Sequence, residues 1–185
     1  MSPSEALALL SPAPVFRHPA LQPTSDRSSN PARWADLGCG SGLFTLALAS
    51  LLPPASTVYA IDRYPSIRSQ LTPNQVSIQP KKADFAKQNL PTLDLDGILM
   101  ANSLHYVKDK PALLRILRTF NLRPQHAFLI IEYDTDRPSP IWMPYPVSFT
   151  SLQTLFHAAG YSTIIRLADR PSIYNRNAIY SAYIA

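Results

Sequence analysis

Arg33-Trp-Ala-Asp-Leu-Gly-Cys-Gly-Ser-Gly-Leu-Phe-Thr-Leu-Ala-Leu-Ala-Ser50 decides the fold. It opens as a short apolar strand, passes three glycines at alternate positions, and continues as a helix. Alternate glycines let the backbone turn sharply and come close to a ligand. The helix start that follows offers free N–H groups and a positive dipole end to an anionic group. Glycine is otherwise scarce: the 185 residues hold 5 Gly against 19 Pro, and three of the five are Gly38, Gly40 and Gly42. A dinucleotide fingerprint would require glycine at the sixth motif position, where Leu43 stands, and a Walker loop would require Gly-Lys-Ser/Thr. Neither fits.

Working outward, short apolar runs alternate with helical stretches. Strands are predicted at 33–37, 57–62, 75–79, 95–101 and 127–133, and helices at 43–52, 65–71, 110–120 and 150–159. Gly160 stands as the residue ending the last helix. Two strands, 162–168 and 178–184, finish the chain without a helix between them. Alternation of this kind implies a parallel sheet wound on both faces, here with an antiparallel C-terminal hairpin. The expected fold is therefore α/β, Rossmann-like and doubly wound, with a seven-stranded, mostly parallel sheet in a three-layer α/β/α sandwich. Six prolines fall within residues 1–31, which read as a Pro/Ser-rich N-terminal arm carrying a short helix at 4–10. The main domain is expected to occupy 32–185.

Composition narrows the class. With 46% apolar and 16% charged residues the chain is neither disordered nor a coiled coil. No apolar run approaches the ~20 residues of a membrane-spanning helix, so no membrane association is expected. The net charge of +5 is spread over scattered Lys and Arg, which reads as ordinary surface charge rather than a nucleic-acid footprint. A lone cysteine, Cys39, cannot form an internal disulfide and fits a reducing cytoplasm. No basic segment leads into an apolar run at the N-terminus, so no signal peptide is expected. No metal-ligand spacing is present.

Asp36-Leu-Gly-Cys-Gly-Ser-Gly42 resembles motif I of the class I S-adenosylmethionine (SAM)-dependent methyltransferases. Three later segments resemble the family in order. Val58-Tyr-Ala-Ile-Asp-Arg63 ends the second strand in a carboxylate, Asp62, which the resemblance assigns to the ribose hydroxyls. Lys82-Ala-Asp-Phe85 matches the acidic motif that meets the adenine, with Asp84 and Phe85 in those roles. Asp96-Gly-Ile-Leu-Met-Ala-Asn-Ser-Leu-His-Tyr-Val107 matches the fourth strand and its loop, flanking the methionine part of the cofactor. The resemblance thus implies SAM as cofactor, S-adenosylhomocysteine as product, and Asp36, Gly38, Cys39, Gly40, Ser41, Gly42, Asp62, Arg63, Asp84, Phe85, Asn102 and Ser103 as cofactor-binding residues. It runs from about residue 33 to the C-terminus, with Pro124-Gln125-His126 replacing the family's usual Pro-Gly-Gly turn.

The acceptor is expected to be a small molecule. His105, just past the fourth strand, is the candidate general base, with Tyr106 beside it. Tyr133, Trp142 and Tyr145 are the candidate acceptor-binding residues. The last two lie among four prolines in 137–146, expected to form, with the N-terminal arm, a roof over the acceptor. Arg166, Arg170 and Arg176 are candidates for meeting an anionic acceptor. Two alternatives stay open: a catalytically silent SAM-binding partner subunit, and an RNA methyltransferase, which would need a contiguous basic patch beside the cleft.

Overall fold

The computed structural model describes residues 1–11, 31–87, 94–118, 122–171 and 178–185. Eight strands form one sheet: β1 (Arg33–Leu37), β2 (Thr57–Asp62), β3 (Gln70–Leu71), β4 (Ser77–Lys82), β5 (Leu95–Ala101), β6 (Leu122–Tyr133), β7 (Ile164–Pro171) and β8 (Ala178–Ile184). Their order is β3-β4-β2-β1-β5-β6-β8-β7. The run β4-β2-β1-β5-β6 is parallel, and β8 joins β6 antiparallel before pairing with β7. The helices are α1 (Pro3–Leu10), α2 (Leu43–Leu51), α3 (Lys110–Leu117) and α4 (Phe149–Ala158).

Side chains alternate across the sheet, as the pleat requires. Trp34, Val58, Ala60, Leu99 and Leu129 face one core, closed by α1 and α2. Ala35, Leu37, Ile98, Phe128 and Ile130 face the other, closed by α3 and α4. This is the expected doubly wound, three-layer sandwich with its antiparallel hairpin. No helix among the described residues is long and apolar enough to cross a membrane.

Local chemistry explains the helix ends. Ser2 and Glu5 form a reciprocal capping box on α1, and the Asp109 carboxylate accepts from Ala112 N at the start of α3. Gly160, at φ 91°, closes α4 with Gly160 N–H donating to His157 and Tyr161 N–H to Phe156.

Two sequence expectations are corrected. Residues 65–71 form no helix. Ser66 N–H donates to Gly40 O, Ile67 packs against Gly42, and Gln70–Leu71 pairs antiparallel with β4 as an eighth strand. Anchoring to the glycine loop holds this stretch extended. The strand expected at 75–79 starts two residues later, because Thr72 to Gln75 make a turn with Gln75 at φ 63°. Helix α1, expected within the N-terminal arm, packs on the sheet layer: Ala6, Leu9 and Leu10 are fully or almost fully buried beside α2, and Glu5 pairs with Arg170 of β7. Most of the rest of the N-terminal segment, and the end of the helix expected at 110–120, lie outside the described residues.

Candidate active site

The order of the sheet places a crevice where the strand sequence reverses, between the carboxyl ends of β1 and β5, the usual ligand position in open α/β folds. The loop after β1 forms one bank. Gly38 and Cys39 N–H both donate to Ile61 O, and Gly40 N–H donates to the Asp62 carboxylate at 3.0 Å. The other Asp62 oxygen accepts from Tyr64 N–H at 2.8 Å. Asp62 therefore fixes the shape of the loop in addition to ending β2.

The glycines of this loop have different reasons. Gly38 sits at φ +86°, and a Cβ there would collide with Ser103. Gly40 sits at φ +50°, yet nothing lies within 4 Å of where its Cβ would be. Gly38 is required by the protein itself; the space beside Gly40 is open. Asp36 lies beneath, 1% exposed, with one oxygen accepting from Thr45 Oγ1 at 2.6 Å and the other unpartnered. Burial, with the nearby Asp62 charge adding to it, pushes the Asp36 carboxyl up to about 7. Cys39 is buried and its thiol is pushed up to about 12, chiefly by burial, so it is an unreactive small side chain. Ser41 and Arg63 are exposed at the rim.

Asp84 and Phe85 follow β4, both half-buried, and the Phe85 ring approaches Gly38. Asp84 Oδ1 accepts from Ala86 N–H, the turn-starting role such residues take locally. Ser103 Oγ donates to Leu37 O at 2.6 Å, tying the end of β5 to the end of β1. Asn102 sits at φ 52°, a left-handed conformation uncommon outside glycine, with its side-chain oxygen buried and unpartnered.

The opposite bank is built around a residue that the sequence reading did not single out. Glu132, at the end of β6 and 1% exposed, accepts from the Leu104 and His105 amides through Oε1. Its Oε2 lies 2.6 Å from His105 Nδ1. The only sequence signal was a carboxylate ending the apolar run 127–131. His105, 3% exposed, occupies a single 3-10 turn from Leu104 to Tyr106. With Nδ1 held by Glu132, Nε2 is the ring nitrogen left to exchange a proton.

A cavity of about 380 Å³ opens over His105. Asn102, Tyr106 and Tyr133 line it from the strand ends, and Ser139, Trp142 and Met143 from the segment after β6. That segment folds back as a tight turn, Ser139 and Met143 exchanging backbone hydrogen bonds. Its base is fixed: Tyr145 N–H donates to His105 O, and Lys110 Nζ donates to Val107 O and Tyr145 O. Burial lowers the Lys110 ammonium from its usual value, with Glu132 and Asp136 opposing. The carboxylates of Asp134 and Asp136 cap the start of α4.

The proline-rich segment thus reaches the site through Trp142, while Tyr145 contributes its backbone. Helix α1 is not among the residues lining the cavity. Arg166 pairs with Asp134 and Asp169, and Arg170 with Glu5, so neither stands ready for an anionic acceptor; Arg176 lies outside the described residues. Among the described residues no cluster of His, Cys, Asp and Glu suits a metal ion.

A family model described as a methyltransferase domain matches residues 16–169. No curated protein matches the chain. Among solved structures, human N-acetylserotonin methyltransferase in complex with SAM superposes with a TM-score of 0.56 at 18% identity, covering 99% of this chain and 56% of that one. A SAM-dependent methyltransferase from Aquifex aeolicus gives 0.56 at 17% identity, covering 100% and 98%. The 1,6-didemethyltoxoflavin-N1-methyltransferase of Burkholderia thailandensis, with bound 1,6-didemethyltoxoflavin and S-adenosylhomocysteine, gives 0.63 at 18% identity, covering 97% and 78%. At these identities the likeness is one of fold. The chain spans little more than half of the human enzyme.

Proposed function

The chain belongs to the methyltransferase domain family, the SAM-dependent class I enzymes, and we propose that it methylates a hydroxyl or amine of a small molecule, with His105 as general base. The observation carrying this reading is the buried Glu132–His105 pair, 2.6 Å apart, under a cavity at the carboxyl ends of β5 and β6.

The residues present fit SAM. The vacant space beside Gly40 admits a ligand against the loop backbone. The unpartnered oxygens of Asn102 and Asp36 are acceptors that a cationic amino group would satisfy. On this reading the loop Gly38-Cys-Gly-Ser-Gly42, with Asp36, Asn102 and Ser103, holds the methionine part. Asp62 meets the ribose with Arg63 at the rim, and Asp84 and Phe85 meet the adenine. Bound SAM supplies an electrophilic methyl group on a sulfonium.

The chain's own contribution is alignment, water exclusion and proton transfer. Glu132 accepts from Nδ1–H and so keeps the Nε2 lone pair toward the cavity. His105 Nε2 would take the proton of the acceptor's hydroxyl or amine, and Glu132 would stabilise the imidazolium that forms. Trp142 and Met143 close the cavity from above. The single cysteine of the sequence, with no internal partner for a disulfide, supports a reducing, cytoplasmic setting.

The test is a methyl-transfer assay with radiolabelled SAM, alongside calorimetric titration with S-adenosylhomocysteine. His105→Asn should lower turnover about 10²–10⁴-fold, the usual contribution of a positioned base, while leaving cofactor affinity intact. Full turnover in that variant would remove His105 from the chemistry.

A further inference from the structure

We infer that the acceptor is an uncharged, planar aromatic molecule carrying the methylated group on or next to its ring. This rests on the methyl-transfer reading and narrows its substrate. Three observations carry it.

The first is charge. Among the described residues lining the cavity there is no Lys, Arg, Asp or Glu. Of the cations on neighbouring elements, Lys110 donates to two carbonyls, Arg166 is held by two carboxylates, and Arg137 is exposed on the segment after β6 without lining the cavity. The nearest carboxylate, Glu132, is buried behind His105 and bonded to it and to two amides. Neither an anionic nor a cationic acceptor would find a formal counter-charge among the lining residues, and the cationic probe below tests whether the rings alone attract a cation. Leaving water for a site without a partner charge is strongly unfavourable for an ion.

The second is shape. Tyr106, Tyr133 and Trp142 bring three rings to one cavity of about 380 Å³. Tyr106 and Trp142 are 56% and 61% exposed, an unusual outlay of aromatic surface at a cleft that a flat ligand would cover. Aromatic faces and edges favour another ring over a puckered or branched group.

The third is rigidity. Trp142 sits on a turn closed by paired backbone bonds between Ser139 and Met143, above a base fastened by Tyr145 and Lys110. A ring held on such a support is set in place before the ligand arrives, which favours a rigid partner of matching flatness. The polar groups of the lining residues are the His105 ring, the Asn102 amide, the Ser139 hydroxyl, the Tyr106 and Tyr133 hydroxyls and the Trp142 N–H. They suit a ring bearing an ionisable proton together with further polar substituents.

The experiment uses the full chain saturated with S-adenosylhomocysteine and four probes of one size, titrated by ligand-observed NMR. They are 2-naphthol, 2-naphthoate, 2-naphthylmethylammonium and the saturated 2-decalol. At neutral pH 2-naphthol should bind at least tenfold more tightly than each of the other three, and Trp142→Ala should weaken it at least tenfold. Tyr106→Ala, the other exposed ring, should weaken it in the same direction. Equal or tighter binding of the anion, the cation or the saturated ring would overturn the inference, as would naphthol affinity unmoved by both variants. Failure of the two readings is separable. If S-adenosylhomocysteine binds and naphthol shows no preference, the cofactor side of the reading stands and the acceptor class falls. If naphthol binds as expected and S-adenosylhomocysteine does not, the cavity's ligand class stands and its role as methyl acceptor is overturned.

Discussion

The bank of the cleft that follows β1 and β2 presents backbone amides and vacant space, whereas the bank that follows β5 and β6 presents side chains held by one buried carboxylate. In the first, three glycines within five residues and the Asp62 carboxylate set the loop's path. In the second, Glu132 gathers two amides and an imidazole from residues 27 and 28 positions away in the chain. On the proposed reading, the loop shaped by its own backbone would hold the ligand whose chemistry is fixed, and the bank made of side chains would be where acceptor and proton transfer can vary. The comparison can be broken at either bank.

The largest effect is expected at Glu132. Glu132→Gln keeps an oxygen for the Leu104 and His105 amides, but its NH₂ would donate to Nδ1 and force the proton onto Nε2. Turnover should fall about 10²–10⁴-fold with the fold and cofactor affinity retained. Glu132→Leu should in addition destabilise the protein, because buried donors lose their acceptor at about 1–3 kcal/mol each. Wild-type turnover in the Gln variant would reduce Glu132 to a structural support.

Next comes a contrast within the glycine loop. Gly38→Ala adds a Cβ where Ser103 already stands, at positive φ, and should cost roughly 2–5 kcal/mol in chemical denaturation from overpacking and backbone strain together. Gly40→Ala meets nothing and should cost only about 1–2 kcal/mol of backbone strain. Its larger consequence should be lost cofactor affinity, read by titration. Equal destabilisation by the two would mean that the space beside Gly40 is not kept for a ligand.

These two banks were unequally legible in the sequence. The glycine loop, Asp62 and the strand–helix alternation are local patterns, and the sheet, the hairpin and the Gly160 cap follow from them. Asp62 was read as a ligand contact, while its bonds to Gly40 and Tyr64 depend on a loop geometry that no pattern displays. Glu132 escaped because its partners come from another strand: a carboxylate ending an apolar run is common, and only the β5–β6 pairing brings it beneath His105. The absent helix at 65–71 has the same cause. Pro65 suits a helix start, but Ser66 and Ile67 are claimed by Gly40 and Gly42 across the loop. Helix α1 was set apart for its proline-rich surroundings, although Ala6, Leu9 and Leu10 carry the spacing of a buried stripe.

Asp36 gives the comparison a pH dependence. Its carboxyl is raised from 3.8 to about 7 on folding, chiefly by burial, so the folded state binds the proton more tightly than the unfolded chain. Stability contributed by protonated Asp36 is fully present below about pH 4 and is lost as pH rises to about 7, with a slope of at most about 1.4 kcal/mol per pH unit. Asp36→Asn keeps an acceptor for Thr45 and removes the titration. Denaturation midpoints followed between pH 5 and 7 should therefore fall less steeply in the variant. Identical slopes would show that Asp36 does not carry a raised pKa.

The smallest effect on the fold should come from Trp142, and its smallness is informative. The ring is 61% exposed at the tip of the turn, while neighbouring Met143 is 3% exposed and fills the gap beneath. Trp142→Ala removes surface rather than core, so stability should stay within about 0.5 kcal/mol of wild type, as for most surface changes. Cofactor affinity should be unchanged, since Trp142 lies over the His105 bank. The acceptor's KM should rise with turnover at saturation largely kept, because the ring holds the acceptor without handling its proton. Chemical denaturation and steady-state kinetics read these separately. A loss of stability on the scale of Gly38→Ala would make the turn part of the core. A loss of cofactor affinity would place the ring on the wrong bank, and either result would dissolve the division between a backbone-built cofactor side and a side-chain-built acceptor side.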